Sequence, residues 1–123
     1  MITATRLHLL LAMLMGLAGV AALASATHVG ASTSLQTAGQ MLLFHAPLIV
    51  AVTVARRTEL LADTLARIAV SVLILGLALF SGDLALRALR GAKLFAMAAP
   101  SGGILIMLGW IGLALSALLA KRR

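Results

Sequence analysis

The sequence contains no cysteine. It therefore offers no disulfide frame, no thiolate metal site and no cysteine nucleophile. Aromatic residues make up 3% of the chain, with no tyrosine and Trp110 as the single tryptophan. The aromatic belt that flanks many membrane spans is nearly missing. Charge is scarce too, at 11%, and only three residues are acidic: Glu59, Asp63 and Asp83. No His-Glu pair for zinc, P-loop or Gly-x-Ser-x-Gly elbow occurs. No cofactor or metal is expected, and an enzyme is the least supported class.

What remains is apolar. Hydrophobic residues are 63% of 123, and the mean hydropathy is +1.15. Soluble domains are roughly 45–50% apolar and about 25% charged. A water-soluble monomer of this size has too little interior to hide such a surface, and the same composition excludes disorder. An integral membrane protein is expected. The net charge of +7 comes from ten basic residues that lie between and after apolar runs. That placement reads as topology signals and headgroup contacts rather than a nucleic-acid face.

No charge occurs between Arg6 and Arg56. One crossing needs about 20 residues, so this stretch holds two, at about 7–26 and 35–55. The polar run 27–34 is the turn between them. Arg56, Arg57, Glu59 and Asp63 form a charged loop. A third helix is expected over about 64–90, with Asp63 as its N-cap, an Asp63–Arg67 pair at i,i+4 and Gly91 just beyond its end. After a linker at 92–99, Pro100 is placed to open a fourth helix at its first position, over about 100–120. The whole chain, 1–123, is thus expected to be one all-α membrane domain, a four-transmembrane-helix bundle.

Four spans put both termini on one side. Seven basic residues share that side: Arg6, Arg56, Arg57, Arg67, Lys121, Arg122 and Arg123. Arg87, Arg90 and Lys93 lie opposite. The positive-inside rule makes the termini cytoplasmic. Ala24-Ser25-Ala26 has the form of a signal-peptide cleavage site. The apolar run before it, about 18 residues, exceeds the usual signal core of about 7–15, so the first helix is expected to be retained.

The candidate polar and functional residues are His45, His28, Asp83, Arg87 and Gln40. His45 falls near the middle of the second run, two residues before Pro47, whose ring frees the Leu43 carbonyl and can kink the helix. A mid-membrane histidine either marks a pathway or ties helices together as a neutral hydrogen-bonded group, and the second reading is preferred. Gln36 and Gln40 share a helix face, nearly opposite His45, so no continuous polar lining runs through this helix. Asp83 and Arg87 are spaced for an ion pair near the headgroups, where charges snorkel outward. Small residues recur at packing intervals: Ala12 and Gly16; Ala18, Ala22 and Ala26; Gly109, Gly112 and Ser116. These faces serve either the packing of the four helices or docking to another protein.

Three stretches together resemble a known family. "TAGQMLLFHA" (37–46), "LFSGDLAL" (79–86) and "APSGGILIMLGW" (99–110) occur in this order. They resemble the small four-helix membrane proteins catalogued as domain of unknown function 423, found in bacteria and with relatives in animal mitochondria. Members usually carry Gly-Ala-His after the first helix, where this chain has Ala26-Thr27-His28. They tend to have Tyr-Gln-x-Tyr-His before the kink, where this chain has Met41-Leu42-Leu43-Phe44-His45. Both histidines are kept, and the tyrosines and glutamine are lost. The resemblance implies fold, topology and membrane, not a reaction; the expected location is the bacterial inner membrane.

The expected role is a non-catalytic accessory or structural component that packs against lipid and against another membrane protein or complex, or a second copy of itself. The alternative is a small transporter or ion-coupled carrier using His45 and Asp83, with His28. Four helices are thin for a pathway, and no inverted repeat is visible.

Overall fold

The computed structural model describes residues 3–28 and 32–122. Among them the regular elements are four α-helices: α1 (Ala4–His28), α2 (Thr33–Arg57), α3 (Asp63–Arg90) and α4 (Ala98–Leu118). Each is long and apolar enough to cross a membrane. Even α4, with 21 residues, reaches about 30 Å, the thickness of a hydrocarbon core. The apolar residues are not confined to inward stripes. Leu7, Leu10, Met13, Leu14, Leu17 and Val20 of α1 all point outward, as expected of helices solvated by lipid.

The four helices match the sequence expectation, with ends displaced by two or three residues at most. α1 and α2 extend past their charge-free runs to take in Arg6 and Arg56–Arg57, because long basic side chains at a helix end reach outward without breaking the backbone ladder. Ser32 caps α2, its Oγ accepting from Leu35 N at 3.2 Å. Part of the expected 27–34 turn, residues 29–31, lies outside the described residues, as does Arg123 of the basic tail.

Two end assignments are corrected. Asp63 is not the N-cap of α3; Ala62 occupies that position without a side-chain cap, and Asp63 is the first helical residue. Its carboxylate is held by Arg56 at 2.9 Å and Arg67 at 3.5 Å, so it does not turn back to the first-turn amides. Pro100 does not open α4, which starts two residues earlier at Ala98. The missing N–H costs nothing there, because the first four amides of a helix have no intrahelical acceptor. Gly91 behaves as expected. It ends α3 at φ 66°, in the left-handed region, and its N–H reaches Arg87 O.

Successive helices pack side by side: α1 on α2, α2 on α3, α3 on α4. The arrangement is open rather than a closed bundle. Among the described residues, the α1 and α4 backbones do not approach each other, nor do those of α2 and α4, and α1 meets α3 only slightly. The start of α1 and the end of α4 lie at one end of this layer, which we call the terminal end: Thr5 bonds Arg56, and Ala62 N donates to Ser116 O. The α3–α4 linker marks the other end.

Glycines set the closest approaches. A Cβ on Gly39 would lie 2.9 Å from Gly19 O, and one on Gly102 would lie 2.6 Å from both Gly76 O and Phe80 N. In lipid, helix association comes from dispersion and close packing rather than from expulsion of water, so these crossings hold the layer together. Gly109 and Gly112 face Leu73 and Ala69 of α3, and Ser116 is buried with its Oγ on Leu113 O. The small-residue face of α4 is therefore spent on α3, inside the chain. Gly16 lies against Ala46 of α2, and Ala12 and Ala26 are buried. Ala18, expected in the same series, is exposed.

Candidate functional site

Three polar clusters occupy three depths. The middle one is built on His45, the central residue of α2, which is only 5% exposed. Its Nδ1 lies 2.7 Å from Met41 O, and its Nε2 lies 3.1 Å from Trp110 Nε1. A carbonyl can only accept and an indole N–H can only donate. His45 therefore carries its proton on Nδ1 and presents Nε2 as the acceptor. The rings meet edge to face, with centroids 5.7 Å apart. Trp110 thereby ties α4 to α2 although their backbones stay apart. Pro47 does not interrupt α2, which is helical from Thr33 to Arg57. Both ring nitrogens are occupied, and neither surface cavity described below is lined by His45.

A double-mutant cycle between His45→Ala and Trp110→Phe is expected to give a coupling energy of about 0.6 kcal/mol and no more than about 1.7 kcal/mol, the range of polar contacts between membrane helices. Reversible unfolding in mixed micelles measures it. A coupling well above that range would show that this pair does more than pack.

The second cluster fastens the linker. Asp83 is fully buried. Oδ1 accepts from Leu94 N and Oδ2 from Arg87 Nε, both at 2.9 Å. The ion pair with Arg87 matches the sequence expectation, but the outward snorkelling of the carboxylate does not. Asp83 points inward because the linker folds back and offers it an amide. Just before it, Ser81 donates to Ala38 O of α2. His45 stands seven residues beyond Ala38, roughly 10 Å along α2. Thus His45 and Asp83 belong to separate clusters. His28 is exposed at the last turn of α1, and Gln40 is exposed on α2. Apart from the Asp83–Arg87 pair, the candidate polar residues do not converge.

The third cluster, at the terminal end, was not singled out from the sequence. Arg56, 5% exposed, donates through Nη1 to Asp63 Oδ1 and through Nη2 to Thr5 Oγ1. One turn along α1, buried His8 lies 3.1 Å from Ser71 Oγ. Ser71 spends its proton on Arg67 O, so His8 Nε2 must be the donor in that bond. His8 Nδ1 and Arg56 Nε are left buried without partners. One of these is an acceptor and the other a donor. The one signal available in the sequence was that His8 alone interrupts the first apolar run.

This cluster borders a cavity of about 590 Å³ lined by residues including Arg56, Asp63, Leu65, Leu119 and Lys121. A shallow groove of about 400 Å³ adjoins it along α3, sharing Thr64 and Ile68 and reaching Leu75.

No curated protein and no solved structure matches the chain. The profile of one family, described as "Protein of unknown function (DUF423)", matches residues 15–103. That span runs from within α1 to the first turns of α4, and it takes in His45 and Asp83 but leaves out His8 and Trp110. Since the match extends over most of the sequence, the chain belongs to the DUF423 family of proteins of unknown function.

Proposed function

We propose that the chain is a non-catalytic accessory or structural protein of the bacterial inner membrane, inserted as four spans with both termini cytoplasmic. It acts by packing against another membrane protein, a second copy or lipid. One observation carries the reading: His45, the polar side chain at mid-depth, has both ring nitrogens engaged within the chain, by Met41 O and Trp110. The hydroxyls of Ser81 and Thr53, nearer the two ends, are likewise held by Ala38 O and Ile49 O. A transport path needs polar groups free to exchange partners with its cargo. The open layer adds a second support, since the outer faces of α1 and α4 are apolar along their length and do not meet each other. The excess of basic residues at the terminal end supports the orientation.

Crosslinking in native membranes followed by mild extraction tests this. A reproducible protein neighbour or a homo-oligomer is the expected result. A strictly monomeric chain counts against it. Flux through proteoliposomes that His45→Ala abolishes would replace it with a carrier.

A further inference from the structure

We infer that the terminal-end cavity is a binding site for the phosphate of an anionic phospholipid headgroup, with an acyl chain lying in the groove along α3. The inference rests on the membrane reading, and it stands whether or not the chain has a protein neighbour.

The first observation is the start of α3. This 28-residue helix has no side-chain cap, and Ala62 N is already taken by Ser116 O. The next amides, of Asp63, Thr64 and Leu65, are first-turn donors without an intrahelical acceptor, and all three residues line the cavity. The helix dipole adds partial positive charge there. The second observation is Arg56, a buried residue that lines the same cavity. Its Nη1 and Nη2 are spent on Asp63 and Thr5, and its Nε–H is left without a partner in the wall. A guanidinium in this state gains a bond when it turns toward a phosphate oxygen in the cavity. Lys121 lines the cavity too and, among the described residues, makes no ion pair.

Two acids also line the cavity, Glu59 and Asp63. Asp63 has both oxygens turned to Arg56 and Arg67. Around it the terminal end carries Arg6, Arg57, Arg67 and Arg122 in addition, so the local field favours an anion.

The shape selects a lipid over a free anion. The cavity shares Thr64 and Ile68 with the α3 groove. That groove is walled chiefly by Ile68, Val72 and Leu75 and runs from the charged end toward the middle of the span. A charged cavity beside a shallow apolar groove that runs along a membrane helix matches a phospholipid at the interface.

The test is native mass spectrometry of the full chain released from nanodiscs of equal parts phosphatidylcholine and phosphatidylglycerol. One phosphatidylglycerol retained in preference to phosphatidylcholine is expected. Lys121→Gln should lower that retention about fivefold. Arg57→Gln removes a charge at the same end but outside the cavity, and it should leave retention unchanged. Arg56→Lys keeps the charge and loses the planar donor set, and it should weaken retention as well. Equal retention of the two lipids overturns the inference. So does an equal loss in Lys121→Gln and Arg57→Gln, which is diffuse attraction to a basic surface. Titration with inorganic phosphate in phosphatidylcholine discs separates the sources: saturable phosphate binding without a preference for phosphatidylglycerol overturns the lipid assignment. A chain that fails to enter nanodiscs overturns the membrane reading and this one with it, whereas an inserted chain that does not discriminate overturns this one alone.

Discussion

Gly102→Ala is expected to destabilise the protein by about 3 kcal/mol, the upper part of the usual range for overpacking. The added methyl would lie 2.6 Å from Gly76 O on α3 and 2.6 Å from Phe80 N. Both are backbone atoms, and no rotamer change can move them. α3 and α4 must separate, and the dispersion contacts along the whole crossing weaken together. The neighbouring position supplies the control. A methyl on Gly103 would meet only Phe80 Cδ2, at 3.9 Å, which is ordinary contact. Gly103→Ala should be neutral or slightly stabilising, by up to about 1 kcal/mol, because alanine loses less backbone entropy in a helix. Unfolding in mixed micelles, followed by circular dichroism, compares the two. Equal effects at 102 and 103 would mean that the α3–α4 crossing is not as close as described.

The same crossing shows where sequence reading runs out. The four long apolar helices were legible because basic and acidic residues are confined to the ends of the apolar runs, as the cost of a charge in hydrocarbon would require, and the spacing of Arg6, Arg56, Asp63 and the C-terminal basic tail divides the chain accordingly. The stop at Gly91 was legible because the left-handed conformation favours glycine. The faces that meet were not. In this chain small residues lie on several sides of each helix, so Gly109 and Gly112 pointed to a packed face without naming α3, while Gly39, Gly76 and Gly102 were not read as packing positions. Ala18 shares its helix and its spacing with Ala22 but faces outward.

The polar partners were hidden for a related reason. Periodicity reports contacts one turn away, and it found Asp83–Arg87 and Asp63–Arg67. His45 and Trp110 are 65 positions apart, His8 and Ser71 63, and Arg56 and Thr5 51. Those pairs follow from which helices lie side by side, a tertiary fact. The open layer is also why Trp110 matters: a long indole spans a gap that a short side chain on α4 would leave unbridged. The N-cap assignment of Asp63 failed on the same ground. Its local capping role competes with Arg56, a partner from the preceding helix, and the charge-assisted bond at 2.9 Å is the stronger of the two.

Asp83→Ala is expected to cost about 2–3 kcal/mol and to release the 91–97 linker. Removing the carboxylate leaves the Leu94 amide without its acceptor and Arg87 without its counter-charge. Breaking a fully buried pair costs about 3–5 kcal/mol, but Arg87 is 40% exposed and can turn to the headgroups, which lowers the penalty. The two bonds have separable consequences. Arg87→Gln removes only the one to Oδ2, so Leu94 stays fastened through Oδ1 and the linker should hold. Trypsin reads the difference, because Arg90 and Lys93 lie just before the fastened Leu94 and are exposed. Cleavage there should rise about tenfold or more in Asp83→Ala, since a linker freed of its anchor opens with little free energy. In Arg87→Gln it should stay near the wild-type rate. If both variants are cut alike, the salt bridge and not the Leu94 bond fixes the linker. If neither is cut faster, the fold-back of the linker onto Asp83 is not what protects it.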